Sequence, residues 1–227
     1  MKKKLVKITL IILVFSSIQS LIFAQEAWDR PEFTMARIKY NGGGDWYNDR
    51  SCIPNMLHFL SQNTAIRCAV NERYVELNDP ALFSYPFLFL TGHGNVEFSE
   101  AEAKELRTYL SAGGFLYADD DYGMDETFRK QIKKVFPEED WVELPFNFEI
   151  FHNVFNFTNG VPKIHEHDGG PGKTFAIFHH RRLVILYTFN TNISDGWADA
   201  DVHNDPEYIR EKAFQFGTNI IVYALSH

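Results

Sequence analysis

The chain has 227 residues, 45% of them hydrophobic and 15% aromatic, enough to bury the core of one α/β domain. Its formal charge of −8, with no basic patch, argues against nucleic acid and anionic lipid headgroups as partners and is compatible with binding cations. Two cysteines are too few for a disulfide scaffold and form no C-x-x-C pair, so Cys52 and Cys68 read as core or near-core residues.

Lys2, Lys3, Lys4 and Lys7 precede the apolar run Ile8 to Phe15, and Ile22-Phe23-Ala24 precedes Gln25. This pattern predicts a signal peptide over residues 1–24 and export to the periplasm or the extracellular side, with an uncleaved anchor as the alternative. Cleavage removes four lysines and no acid, taking the charge from −8 to −12. No later segment approaches membrane length, so no span is expected after cleavage, and residues 25–227 read as a single domain.

Phe33 to Tyr40 predicts a first strand, running into Asn41-Gly42-Gly43-Gly44-Asp45-Trp46-Tyr47. Ile53, Met56, Leu57 and Leu60 give helical spacing from about Ser51 to Gln62, and Ala65 to Leu77 reads as extended. The next stretch organises the whole chain. Phe87-Leu88-Phe89-Leu90 leads into Thr91-Gly92-His93-Gly94. A helix opened by the S-x-x-E capping box of Ser99 and Glu102 follows, and Phe115 to Ala118 then ends in Asp119-Asp120-Asp121. Two unbroken apolar strands joined by a helix make a parallel βαβ crossover, so the His93 and Asp119 loops leave the sheet side by side. That is the edge at which open α/β sheets take ligands. A helix over Asp125 to Phe136 follows, then an irregular aromatic region from Trp141 to Pro162. Strands Thr174 to Phe178 and Leu183 to Phe189 form a hairpin. Asp205-Pro206 reads as N-cap and N1 of a last helix, Glu207 to Leu225. The order predicts a three-layer, doubly wound, mostly parallel α/β sheet, flavodoxin-like or amidotransferase-like. The Gly42, His93, Asp119 and Asn190-Thr191-Asn192 loops each follow a strand, so parallel strands would gather all four on one rim.

Several constellations on that rim could carry chemistry. The glycine loop matches neither dinucleotide nor P-loop spacing; it is a tight turn, or a backbone approach to ligand at Gly43 and Gly44 with Asp45 and Trp46 beside it. His93 occupies the place of a nucleophile elbow but cannot act as an activated thiolate, which leaves a metal ligand, a general base or a plain turn histidine. Asp119 and Asp121 should face together, with Asp120 facing away toward ligand, and a cation would relieve the repulsion among the three. His165 and His167 in Ile164-His165-Glu166-His167-Asp168 have a usable metal spacing, or form an ion-paired loop. Asp195-Gly196-Trp197 with Asp199, Asp201, His203 and Asp205 reads as a solvated loop that misses the EF-hand order, with Trp197 assigned to a ligand surface.

These same stretches, with Ala36-Arg37, Gly113-Gly114-Phe115-Leu116 and Gln215-Phe216-Gly217-Thr218-Asn219, resemble the bacterial family called domain of unknown function 4159, from about Phe33 to Leu225. The resemblance implies a class I glutamine amidotransferase-like fold, in a superfamily that also holds trehalose-utilisation-like proteins, and no assigned activity. Amidotransferases carry a Cys where this chain has His93, which speaks against glutaminase activity.

Two functions fit, the first preferred and the second its alternative, and whether the chain is an enzyme stays open between them. One is an envelope binding module for a small molecule, a glycan or a protein partner. The other is a metal-assisted hydrolase of an envelope glycan or peptide. There a divalent ion would sit on some of His93, Asp119, Asp121, His165 and His167, with Glu166 or Asp45 as general base.

Overall fold

The computed structural model describes residues 32–165 and 167–227. The predicted signal peptide and Glu166 lie outside the described residues. Among the described residues there are seven strands: β1 Ala36–Ile38, β2 Arg73–Val75, β3 Phe87–His93, β4 Phe115–Tyr122, β5 Val142–Glu143, β6 Lys173–His179 and β7 Arg182–Phe189. They make one sheet in the order β2-β1-β3-β4-β7-β6-β5. The run from β2 to β7 is parallel throughout, while β6 is antiparallel to both its neighbours. The helices are α1 Cys52–Asn63, α2 Glu100–Ser111, α3 Asp125–Val135, the single turn α4 Ala200–His203 and α5 Glu207–Ser226. Thr34–His227 form one compact unit. Among the described residues no helix is long and apolar enough to cross a membrane.

The central strands are buried on both faces, as parallel strands covered by crossover helices must be. Leu88, Leu90, Leu116 and Ala118 pack with Leu106 and Leu110 of α2 and with Phe128 and Ile132 of α3. On the opposite face Phe87 stacks on Phe115, and Phe89 and Tyr117 meet Trp197, which is packed with α1 and α5. The result is a flavodoxin-like three-layer α/β sandwich.

Local chemistry explains the element ends. Ser99 Oγ accepts the Glu102 N–H while Glu102 Oε2 accepts the Ser99 N–H at 2.8 Å, closing the capping box that opens α2. The β6–β7 hairpin turns through His180 and Arg181, both with positive φ, as a two-residue turn between right-twisted strands requires. The first strand is shorter than its apolar pattern, its ladder running over Ala36–Ile38, and within the extended stretch at 65–77 the strand is Arg73–Val75, on the sheet edge. The last helix begins differently from expectation: Pro206, not Asp205, holds the N-cap position, and no side chain caps it. Asp205 is thereby left for other partners.

Arg37 is a buried charge inside β1. Its Nε donates to Glu72 Oε2 at 2.7 Å, and its Nη1 donates to the carbonyls of Trp46 and Asn48, each at 3.1 Å. The guanidinium thus fixes the loop that leaves β1 toward the rim.

Candidate metal centre

Because β1, β3, β4 and β7 run parallel, their C-terminal ends lie along one edge, and four chain-distant loops meet there. The glycine loop is zipped to the His93 loop by backbone bonds. Gly44 N–H donates to Asn95 O at 3.0 Å, Asp45 N–H to His93 O at 3.2 Å and Glu97 N–H to Asn41 O at 2.7 Å. This closeness accounts for Gly44, whose missing Cβ would stand 2.8 Å from the carbonyl oxygens of both Asn95 and His93. Gly44 therefore serves backbone-to-backbone packing. Gly43 is exposed with φ +90°, a turn requirement alone. The Trp46 ring packs edge-on against Tyr47 and Tyr74.

His93 is the last residue of extended β3, and α2 starts only at Glu100. The chain therefore has no strand-to-helix elbow here, and the imidazole projects from a strand end. Asp45 engages it twice, accepting the His93 N–H on Oδ1 and lying 3.1 Å from His93 Nδ1 through Oδ2. On the other side Asp121 Oδ2 lies 3.2 Å from the same nitrogen. Asp121 is nearly fully buried and is held by two amides: Asn48 Nδ2 donates to Oδ2, and Asn192 Nδ2 donates to Oδ1 at 2.9 Å. His167 closes the group, its ring 4.6 Å from that of Tyr122. The loop carrying His165 and His167 is tied to the β7 loop by the Ile164 N–H, which donates to Thr191 O at 2.8 Å. One ligand atom from each of His93, Asp121 and His167 lies within 4.8 Å of the others. Two imidazoles and a carboxylate suit a first-row divalent ion such as zinc or manganese.

The electrostatics fit a cation. Burial pushes the Asp121 carboxyl above the usual carboxylate range, against the pull of His93. Burial, then its neighbour His165, lowers the His167 pKa, favouring the neutral imidazole that ligates metals. A cavity of about 190 Å³ opens beside the cluster, lined by Asp120, Asp121, Tyr122, His167, Phe189 and Asn192 among others. Two of the three candidate ligands, Asp121 and His167, line it.

The family model described as "Domain of unknown function (DUF4159)" matches residues 34–225, a span that includes every residue of this cluster. The chain belongs to that family. No curated protein matches it.

In this DUF4159 domain the remaining expected site residues separate. Asp119 does not join the cluster: its carboxylate accepts from Thr188 Oγ1, from the Ser194 N–H at 2.7 Å and from Ser194 Oγ at 2.8 Å, so it pins the β7 loop to β4. Lying two residues earlier on the strand, it sits beneath that loop. Asp120 turns to the other face, accepts the Met124 N–H at 3.1 Å and lines the cavity. Trp197 is corrected outright. It is fully buried against Phe89 and Tyr117, with Nε1 donating to Ala213 O at 2.9 Å, and presents nothing to a ligand. His165 stands between His167 and His203, its ring 4.9 Å and 6.0 Å from theirs, outside the three-residue ligand group.

The sequence reading did not single out Asn48, Asp49 or Asn192 as site side chains, and it took the loop with Asp195, His203 and Asp205 as solvated. In the structure Asp195 is 2% exposed, because Trp197 two residues later is drawn into the core. Burial first, and then repulsion by Asp121, raises the Asp195 carboxyl pKa. The available signal was position: Asn48 and Asp49 continue the glycine loop, and Asn192 lies in a loop already assigned to the rim.

Asp120 supplies a pH test. Its carboxyl is pushed up to about 7, chiefly by burial. The folded chain therefore holds a proton that the unfolded chain releases near its ordinary value of about 4. The Asp120 contribution to the stability of the metal-free protein should be full below that value and be lost as pH rises through about 7, and Asp120→Asn should remove that part of the slope. Denaturant titrations at about pH 5 and about pH 8 in chelator check this sign.

Proposed function

We propose that this domain is a metal-dependent hydrolase, exported by residues 1–24 and acting on an envelope glycan or peptide. The single observation that carries the reading is the convergence of His93 and Asp121, from the ends of two neighbouring strands, with His167, from a loop, at the wall of a cavity that shares two of them. The chemistry a bound divalent ion supplies is activation of water, whose pKa it lowers toward neutrality. Asp45 is a positioning residue, accepting the His93 backbone N–H and lying 3.1 Å from Nδ1, the nitrogen that Asp121 also faces. Asn48 and Asn192 fix the Asp121 carboxylate in one rotamer. The cavity offers Tyr122 and Phe189 as apolar walls, with Asp120 and Asn192 as hydrogen-bonding groups, a mixture suited to a sugar ring or an amide. The three-layer sheet is compatible with the class I glutamine amidotransferase-like superfamily, but His93 in place of a thiol removes the acyl-enzyme route and favours direct attack by water.

The test is reconstitution. Chelator-stripped protein is loaded with manganese or zinc and assayed on N-acetylated amino sugars and short peptides. Metal-dependent turnover, lost in His93→Ala and His167→Ala, is the expected result. Metal uptake without turnover on either class would leave a ligand-binding module in place of the enzyme. No uptake would remove the hydrolase.

A further inference from the structure

A second set of ligands stands behind the first. Asp49 follows Asn48 in the glycine loop, Asp195 follows the β7 loop, and His203 ends α4. One ligand atom from each lies within 4.8 Å of the others. His203 Nε2 is 2.9 Å from Asp49 Oδ1, while His203 Nδ1 is 3.8 Å from Asp195 Oδ2, beyond hydrogen-bond reach. The Asp205 side chain, released from helix capping, is 10% exposed, and its Oδ1 lies 3.7 Å from His165 Nδ1.

What marks this set as built for a ligand is its unmet valence. Three carboxylate oxygens, Asp49 Oδ2, Asp195 Oδ1 and Asp205 Oδ2, are buried and accept no hydrogen bond among the described residues. The Asp49 and Asp195 side chains are 8% and 1% exposed, so water does not solvate them freely. His203 makes only one contact of hydrogen-bond length, to Asp49, so without a cation Asp195 is neutralised by its own proton alone. Buried carboxylates without donors are costly, and such groups are ordinarily paired or bound to metal. The set also touches the first: Asn192 Nδ2 donates to Asp121 Oδ1 at 2.9 Å and lies 3.3 Å from Asp195 Oδ2, so one amide spans carboxylates of both groups.

We propose that Asp49, Asp195 and His203, with Asp205 beside them, hold a second divalent cation, making the rim a two-cation centre. The second site rests on its own residues; only its joint action with the first rests on the function proposed above. A carboxylate-rich set with one imidazole favours manganese, iron(II) or zinc, and two adjacent cations can hold the attacking water and the scissile group's oxygen at once.

The experiment counts metal on the purified, chelator-stripped chain. Manganese is titrated calorimetrically and bound metal measured after desalting, for the parent, His203→Gln, Asp195→Asn and His167→Gln, with near-ultraviolet circular dichroism verifying the fold. The expected result is two manganese per chain in the parent, one in each single variant and none in His167→Gln/His203→Gln. One manganese in the parent, kept in His203→Gln and lost in His167→Gln, would overturn the second site and leave the first. One manganese lost in His203→Gln and kept in His167→Gln would support the second site and overturn the first. The parent count needs no variant, so a parent that binds none overturns the proposal even if a substituted chain fails to fold.

Discussion

Replacing Arg37 with methionine should lower the stability of the domain by about 3–5 kcal/mol, because it leaves Glu72 charged and buried without a partner. The pair is inaccessible, with side chains 1% and 4% exposed and 2.7 Å between Nε and Oε2. More than a charge pair is lost. The same guanidinium holds the Trp46 and Asn48 carbonyls and lies 3.0 Å from Cys52 Sγ, so the loop carrying Asp45, Asn48 and Asp49 loses its anchor. Arg37→Lys should recover little, since an ammonium cannot reach that fan of acceptors from one position. A double substitution with Glu72→Leu should cost less than the sum of the two singles, because no uncompensated charge remains. Denaturant unfolding measures this directly, and thermal unfolding should drop by on the order of 10 °C. A loss below about 1 kcal/mol would mean that the pair is not buried as described.

Trp197→Ala is the second large effect, at about 3–5 kcal/mol. The indole fills the space between Phe89, Tyr117 and α5, and a Cβ on Gly217 would lie 2.6 Å from its ring, so nothing nearby is positioned to collapse into the void. Trp197→Phe keeps most of the apolar contact and strips only the N–H donor from Ala213 O, and should cost about 1–2 kcal/mol. The two variants should also part at the rim. Trp197 seats the turn that buries Asp195, so the alanine variant should weaken manganese binding at the second site while the phenylalanine variant retains it. Equal binding in both would separate the core from the site.

These two residues also show where sequence could and could not be followed. The β3–α2–β4 unit was legible because each layer of information agreed: unbroken apolar runs, a complete capping box and helical spacing on α2. Parallelism then gave the rim, and with it the neighbourhood of His93 and Asp121. Asp119 was misplaced because alternation gives a side chain's face but not what covers that face, and here Ser194 does. Trp197 was misread because it sits among acids, and only the packing of α5 against the sheet shows that the indole is core. Asp-Pro commonly opens helices, so the sequence puts a cap at Asp205; one residue of register, at Pro206, frees it for the rim. Asp49, Asp195 and His203 are separated by up to 154 positions, and nothing local in the chain links them.

The most direct measurement is anomalous diffraction from crystals of the protein grown with manganese. A peak bonded to His93, Asp121 and His167, with Asp45 still turned toward the His93 ring, is the predicted result. Crystals that show no peak there, with His93 still paired to Asp45 and Asp121, would contradict a metal centre on this rim.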